Sequence, residues 1–323
     1  MNHIPFPDIA QFRNCIRIVK ERAEHRGVPL PTINFIGSVK LHGTNASIVF
    51  PESGGHYEQS RTQVITSEKD NAGFSKWVKD NEEKFSKSIG TDYAVYGEWC
   101  GQGIQKGVAI SQIPKNFIVF AVRNLDSTFH NPWYKVDAVK VIAEDLGLPC
   151  IYDYPTWEIS IDFNHPENVQ NRLIELTQAV EAECPVGKAF GVSGIGEGIV
   201  WWPEYNEDFY TGDLQFKVKG EKHSESKVKT LAPIGVEKMD SIKKLVDSIL
   251  TDHRLEKKLD SLKELGLELD MKNTGAFLKI VGQDIHKEES DTIEVSGLSN
   301  KDVMSEVNRR AKQFWVEKIN GNF

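Results

Sequence analysis

The sequence predicts an α+β body followed by a small all-helical unit, with the boundary near residue 232. Runs rich in β-branched and aromatic residues interleave with helical periodicities over the first two thirds of the chain. They do so without an internal repeat and without the regular strand–helix rhythm of a doubly wound sheet. After Ala232-Pro233 only helical patterns remain, punctuated by Gly266, Gly275 and Gly297. The chain has 323 residues, 39 % of them hydrophobic and 27 % charged, which is ordinary for a globular protein and excludes the disordered and collagen-like classes. That length divides into two expected domains, 1–232 and 233–323.

The first expected element is a helix over Ile9–Arg26, where Ile9, Phe12, Ile16 and Val19 recur at spacings of three and four. Strands follow at Thr32–Lys40, Ala46–Phe50, Tyr93–Trp99, Phe117–Val122, Gly198–Trp202 and Leu214–Lys219. Between them, helices are expected at Ala72–Phe85, Trp133–Leu146 and Pro166–Cys184. The last opens with a proline, where a first helical turn needs no N–H. Past the boundary, Val236–Leu250, Arg254–Leu265, Ala276–Lys287 and Ser299–Ile319 read as helices. Lys238–Gly266 is charge-laced, as a solvent-facing helical pair would be.

No run approaches the ~18 apolar residues of a membrane helix, so no membrane partner is expected. The opening MNHIPFPDIAQFRNC has neither the basic stretch nor the apolar block of a secretory signal, so a cytoplasmic location is expected. Cys15, Cys100, Cys150 and Cys184 are scattered with no C-x-x-C pair. Reduced, buried thiols are expected, rather than a zinc site or a disulfide framework.

Lys and Arg total 39 against 47 Asp and Glu, a net charge of −8. Taken alone, this argues against nucleic acid, whose binding rests on phosphates neutralised by Lys and Arg. Two stretches reverse the balance: Lys217–Lys229 holds five lysines and two glutamates, and Ser299–Phe323 five basic residues and three acidic ones. Local patches of this kind grip a phosphate backbone, although each alone also fits an ordinary solvated face.

The most informative string is Val39-Lys40-Leu41-His42-Gly43-Thr44-Asn45-Ala46-Ser47-Ile48. A lysine ends one strand, a Gly-Thr-Asn turn follows, and a second strand begins. Such an edge holds an ammonium rigidly, and Gly43 lets a ligand approach the backbone. Lys40-x-His42-Gly43-Thr44-Asn45 resembles the nucleophile motif of covalent nucleotidyltransferases, most closely that of RNA ligases. At about one in twenty per residue type, five specified residues arise by chance in roughly one in 10⁴ chains of this length.

The family's other motifs follow in order. Arg61 in Ser60-Arg61-Thr62 resembles the basic motif after the second strand. Tyr96-Gly97-Glu98-Trp99, leading into Gly101-Gln102-Gly103-Ile104-Gln105, resembles the third. Phe117-Ile118-Val119-Phe120 resembles the strand whose aromatic stacks on adenine. Glu197-Gly198-Ile199-Val200 and Phe216-Lys217-Val218-Lys219 are similar to the last two, about 180 residues after the first. Each is weak alone; their order carries the resemblance.

The resemblance implies a nucleotidyltransferase domain of mostly antiparallel sheets in which Lys40 attacks ATP and becomes lysyl-AMP. An ordinary lysine has a pKa near ~10.4, so the attacking amine needs desolvation or nearby positive charge, here Lys217, Lys219 and a bound metal. Alternating lysines share one strand face, where they would hold the α-phosphate and stabilise transition-state charge. Glu98, repelled by phosphate, suits a ribose hydroxyl. Glu197 suits the water shell of Mg²⁺, with Mn²⁺ an alternative. Phe120 offers a π-face to the base. By strand alternation His42 shares the nucleophile's face, touching pyrophosphate or making a structural hydrogen bond. The implied nucleotide site also takes in Val39, Leu41, Asn45 and Arg61.

The region after residue 232 resembles the C-terminal domain of bacteriophage double-stranded RNA ligases, which reseal nicked duplexes. Gly282-Gln283-Asp284-Ile285 and the helix Lys301 to Ile319, with Phe314-Trp315, carry that likeness. The implied RNA contacts are Arg61, Arg309, Arg310 and Lys312. Two positions depart from the pattern: Val39 stands where glutamate is common, and Trp202, before Pro203, where lysine is usual. Lys219 or Lys222 would have to supply the missing cation. The implied function is ATP-dependent sealing of 3′-OH/5′-phosphate breaks, in nicked duplex RNA, by a monomer in the cytosol of a phage host. The alternatives are a ligase for single-stranded RNA, tRNA or DNA ends, a capping-type guanylyltransferase, and a catalytically silent nucleic-acid-binding relative.

Overall fold

A computed structural model describes residues 1–86, 90–126, 128, 131–205, 212–223 and 241–321. The expected boundary near residue 232 and the start of the helix expected at Val236–Leu250 lie outside the described residues. The chain divides into two compact units, Met1–Lys222 and His223–Phe323.

The first unit is α+β. Its elements are β1 (Ala10–Gln11), α1 (Phe12–Arg26), β2 (Thr32–Lys40), β3 (Thr44–Phe50), β4 (Tyr57–Ser60), α2 (Phe74–Asp80), α3 (Glu82–Ser86), β5 (Tyr93–Cys100) and β6 (Asn116–Asn124). Then come α4 (Val136–Asp145), β7 (Thr156–Asp162), α5 (Gln170–Ala182), α6 (Pro185–Ala189), β8 (Gly198–Pro203) and β9 (Phe216–Lys219). One sheet runs β1-β9-β8-β2-β7 and the other β4-β3-β5-β6. The pairings are antiparallel apart from β1 beside β9.

Alternation along β2 divides the first sheet into two faces. Ile33, Phe35 and Val39 are buried on the back face, where Phe216 packs at a tilt on Phe12 of α1 at 4.9 Å and meets Phe35 edge-on at 5.2 Å. Burying each such ring contributes roughly 1.5–3 kcal/mol. Ile36, Ser38 and Lys40 face the other way. The back of the second sheet is closed by α2, with Phe74 against Trp99 and Phe117 at 5.4 and 4.9 Å. A β-bulge follows Tyr96: Tyr96 pairs with Ala121 and Gly97 with Val119, leaving Phe120 as the extra residue.

Several boundaries differ from expectation for local physical reasons. Ala10 and Gln11 pair with β9, so α1 starts at Phe12 rather than Ile9. The helix expected over Ala72–Phe85 is two short ones, because Ala72 and Gly73 adopt φ of 51° and 85° and the chain turns again at Asn81. The helix expected at Trp133 begins at Val136, and Pro166–Val169 is a 3-10 turn ahead of α5. Strand β7 was not among the expected strands, although Trp157, Ile159 and Ile161 alternate with Glu158 and Ser160.

The second unit contains α7 (Ser241–Ile249), α8 (Asp252–Glu264), α9 (Thr274–Val295) and α10 (Asn300–Ile319). Leucines of α7 and α8, Phe277, Val281 and Ile285 of α9, and Phe314 and Trp315 of α10 share one core. Gly275 lies within the first turn of α9 and separates nothing. Arg254 is fully buried in this unit. Its guanidinium donates to Asp284 at 2.6 Å, Glu289 at 2.8 Å and the Ile249 carbonyl at 2.7 Å. Asp284 also pairs with Lys258. A buried cation is tolerated only with such partners, so Asp284 of the Gly282-Gln283-Asp284-Ile285 stretch holds the interior together. Among the described residues, no helix is long and apolar enough to cross a membrane.

Candidate active site

The chain passes from one sheet to the other at residues 40–44, the end of β2 and the start of β3. Gly43 is required at this corner: a Cβ there would lie 2.4 Å from the Trp99 carbonyl oxygen. Its N–H donates to Glu98 Oε1 at 2.8 Å, tying the corner to β5. Asn45, half-buried, pairs across from Glu98 and shares its face. Lys40 ends β2 opposite Gly198 of β8. A Cβ on Gly198 would meet the Val218 carbonyl at 2.2 Å, so β9 can pass directly beside Glu197.

Glu197 is 1 % exposed. Its Oε2 accepts from Lys40 Nζ at 2.8 Å and lies 3.3 Å from His42 Nδ1, while Oε1 is 3.2 Å from Lys219 Nζ. Lys217 and Lys219 pair with Val200 and Gly198, and alternation puts both on the face that carries Lys40. The expected Lys40, Glu197 and Lys219 are thus in one cluster, with Lys217 beside them and Glu98 opposite. Glu98 is ringed by protein although part of its surface stays open. This desolvation lifts its carboxyl above the ordinary carboxylate range, and the positive charge of Lys40 opposes the rise.

Other expected site residues stand differently. His42 lies in the turn after β2, so strand alternation does not govern it, and its ring faces Glu197. Val39 and Leu41 are buried, Val39 on the face opposite Lys40, so the Val39 side chain cannot line a site built around that amine. Arg61 is an exposed side chain paired with Asp8. Phe120, half-buried, meets Phe6 edge-on at 5.0 Å. In the second unit, Arg309 forks onto Glu306 at 2.8 and 2.7 Å and Arg310 pairs with Glu306 and Asp247, whereas Lys312 is exposed. Lys219 is engaged by Glu197, and the backbone N–H of Lys222 by Glu181. Trp202 itself packs on Trp133 at 5.4 Å.

All four cysteines are buried and unpaired. Burial pushes the Cys15 thiol up to about 12 and Cys150 to about 11, so neither is a ready nucleophile. Among the described residues, no group of three or more His, Cys, Asp and Glu is placed to hold a metal ion. Glu98 and Glu197 do converge on the Lys40 cluster. A pair of carboxylates fits a hydrated Mg²⁺, which keeps several waters and takes further oxygens from phosphates.

A profile of the RNA ligase family matches residues 33–219, more than half of the chain. The chain belongs to the RNA ligase family. All the clustered residues, from Lys40 to Lys219, fall inside the RNA ligase match; Phe6, Asp8 and α7–α10 fall outside it. Similar solved structures include variants of Naegleria gruberi RNA ligase. One, with ATP and Mn, has a TM-score of 0.47 and 15 % identity over 68 % of this chain and 57 % of that one. An apo variant has a TM-score of 0.47 and 17 % identity, with the same two coverages. The Naegleria gruberi enzyme with PPi gives 0.46 and 16 %, over 68 % and 56 %. The chain spans under two thirds of these structures' length. No curated protein sequence matches it.

Proposed function

We propose that the protein is an ATP-dependent RNA ligase acting through lysyl-AMP, with Lys40 as nucleophile. The observation that carries this reading is the Lys40–Glu197–Lys219 cluster, set at a two-sheet corner within the RNA ligase family match. In the first step Lys40 Nζ forms a bond to the α-phosphorus of ATP. The bond to the bridging oxygen breaks, and pyrophosphate leaves. Next, an oxygen of an RNA 5′-phosphate attacks the adenylyl phosphorus and the N–P bond breaks, returning the lysine. Finally a 3′-hydroxyl attacks the activated 5′-phosphorus and expels AMP, its proton passing to solvent.

The residues supply positioning and charge, which is most of the work in transfers at phosphorus. Lys217 and Lys219 would hold the α-phosphate as charge builds. Incoming phosphate competes with Glu197 for Lys40 and Lys219, loosening the amine for attack. Glu98, with one oxygen tied to Gly43, keeps the other for a ribose hydroxyl. A hydrated divalent cation, Mg²⁺ or Mn²⁺, would be held through its water shell by Glu197 and would neutralise phosphate charge.

The substrate we infer is duplex RNA with a 3′-OH/5′-phosphate nick, as in the bacteriophage ligases the helical tail resembles. Duplex RNA is read by shape, phosphates and 2′-hydroxyls, and Arg61, Arg309 and Lys312 are the exposed side chains among the inferred contacts. The ligase would act as a cytosolic monomer. The test is direct: with ATP and Mg²⁺ the protein gains one AMP by mass and Lys40→Ala gains none. An adduct on Lys40→Ala overturns the nucleophile. Sealing of single-stranded RNA or nicked DNA in preference to nicked duplex RNA overturns the substrate.

A further inference from the structure

Residues 2–8 lie along the inner face of the second sheet, outside the RNA ligase match. Tyr57 Oη donates to the Asn2 carbonyl at 2.7 Å, and Tyr96 Oη to the Ile4 carbonyl at 2.8 Å. The Ile4 N–H donates to Gln59 Oε1 at 2.9 Å, and the Gln59 amide returns a bond to the Ile4 carbonyl. Gln59 is 1 % exposed. Its buried amide is satisfied through this segment, which is therefore an integral strap.

The strap inserts Phe6 between the two sheets. Phe6 touches Tyr96 at 5.2 Å and Phe120 at 5.0 Å on one sheet, and Trp202 at 6.2 Å on the other. Tyr96 is two residues from Glu98 on the same strand face, about 7 Å at ordinary strand rise. Trp202 is four residues from Gly198, about 13 Å. Phe6 therefore stands at the far end of the cleft that begins at Lys40, where the base of a nucleotide held by its α-phosphate would arrive. Phe120 and Trp202, both half-buried, carry the apolar surface on either side.

Pro5 and Pro7 shape this wall chemically. Each fixes its own φ and pushes the preceding residue toward extended backbone, so Phe6 is presented with little freedom to lose. Neither proline has an N–H. Around Phe6 the strap main chain thus offers carbonyl acceptors and a single donor. By setting how closely a base approaches this acceptor-rich main chain, the Phe6 ring favours the 6-amino group of adenine over the 6-oxo group of guanine.

We propose that the Pro5-Phe6-Pro7 strap is the base-end wall of the nucleotide cleft and that Phe6 determines the preference for adenine over guanine, an inference that rests on the nucleotide-cleft reading above. The test uses the full chain carrying Lys40→Ala, which stops chemistry, and reads equilibrium binding of ATP and GTP through the fluorescence of Trp133 and Trp202. Adding Phe6→Ala should raise the Kd for ATP about tenfold and shrink the ATP-over-GTP ratio at least about threefold, with Phe6→Leu intermediate and Phe6→Tyr close to the parent. Thermal melts establish that each variant is folded. If Phe6→Ala does not fold, Phe6→Leu keeps the space filled and its Kd ratio decides. Unchanged ATP binding in the folded variants overturns the proposal, as does equal weakening of ATP and GTP. The parent chain with Lys40 intact is assayed in parallel for the AMP adduct; absence of that adduct defeats the ligase reading, while the binding ratios still judge the strap.

Discussion

Glu197 is shared by three side chains: Lys40, His42 and Lys219. With Glu197 1 % exposed, losing either lysine leaves its charge only partly compensated. Substitution at Lys219 therefore removes the proposed phosphate contact and disturbs the carboxylate that Lys40 shares. Lys219→Ala should lower the rate of protein–AMP formation about 10²- to 10³-fold, the usual scale for one charge-stabilising group. Lys217→Ala should fall in the same range. A quenched-flow assay of adduct formation, with a melt to verify folding, checks both; unchanged rates would return the pair to an ordinary wet strand. These residues were legible because each sits in a short contiguous string. His42 meets the same Glu197 oxygen as Lys40, the side expected of it, but through a turn rather than strand alternation, since the strand ends at Lys40. Phe6 and Asp8 were missed because their partners Phe120 and Arg61 lie more than fifty residues away in sequence. The flanking prolines were the only local signal.

Secondary structure was most legible where the residues themselves favour it. The runs of β-branched and aromatic residues in β2, β5, β6 and β8 mark their strands within a few residues. β4, Tyr57-Glu58-Gln59-Ser60, is a strand through its pairing with β3 rather than through composition, and β1 exists only as two residues beside β9. The break before α2 follows the same logic. Ala72 holds φ at 51° because its carbonyl is taken by Trp99 Nε1 at 3.2 Å and Lys115 Nζ at 2.6 Å. A Cβ in left-handed backbone is strained. Ala72→Gly should relieve that strain by more than the added freedom of the unfolded chain costs, a net gain of about 0.5–1 kcal/mol. Chemical denaturation reads the change, and a loss of stability would count against the strain.

At the scale of the whole molecule, acid should weaken the helical unit through a definable group. Hydrogen bonding from Arg309, with help from Arg310, holds the Glu306 carboxyl down to about 2 from an ordinary 4.5. A carboxyl lowered in the folded state contributes stability that is complete above the unfolded value and is lost as pH falls toward the folded one. The helical signal of the parent should therefore melt progressively earlier between pH 4.5 and about 2. Glu306→Gln should flatten that part of the curve, and parallel parent and variant curves would reject the assignment. The α+β class and the helical tail were readable from pattern alone. The ion pairs of Arg309 and Arg310 were not, since periodicity does not say which acid a surface cation meets.

Because residues 40–44 carry the chain from one sheet directly into the other, the aim of the Lys40 amine and the gap between the sheets are a single mechanical variable. With Lys40 as the proposed nucleophile, a guest that spread the two sheets would also swing its nitrogen off line. Under that proposal substrate size would be gauged at the pivot itself.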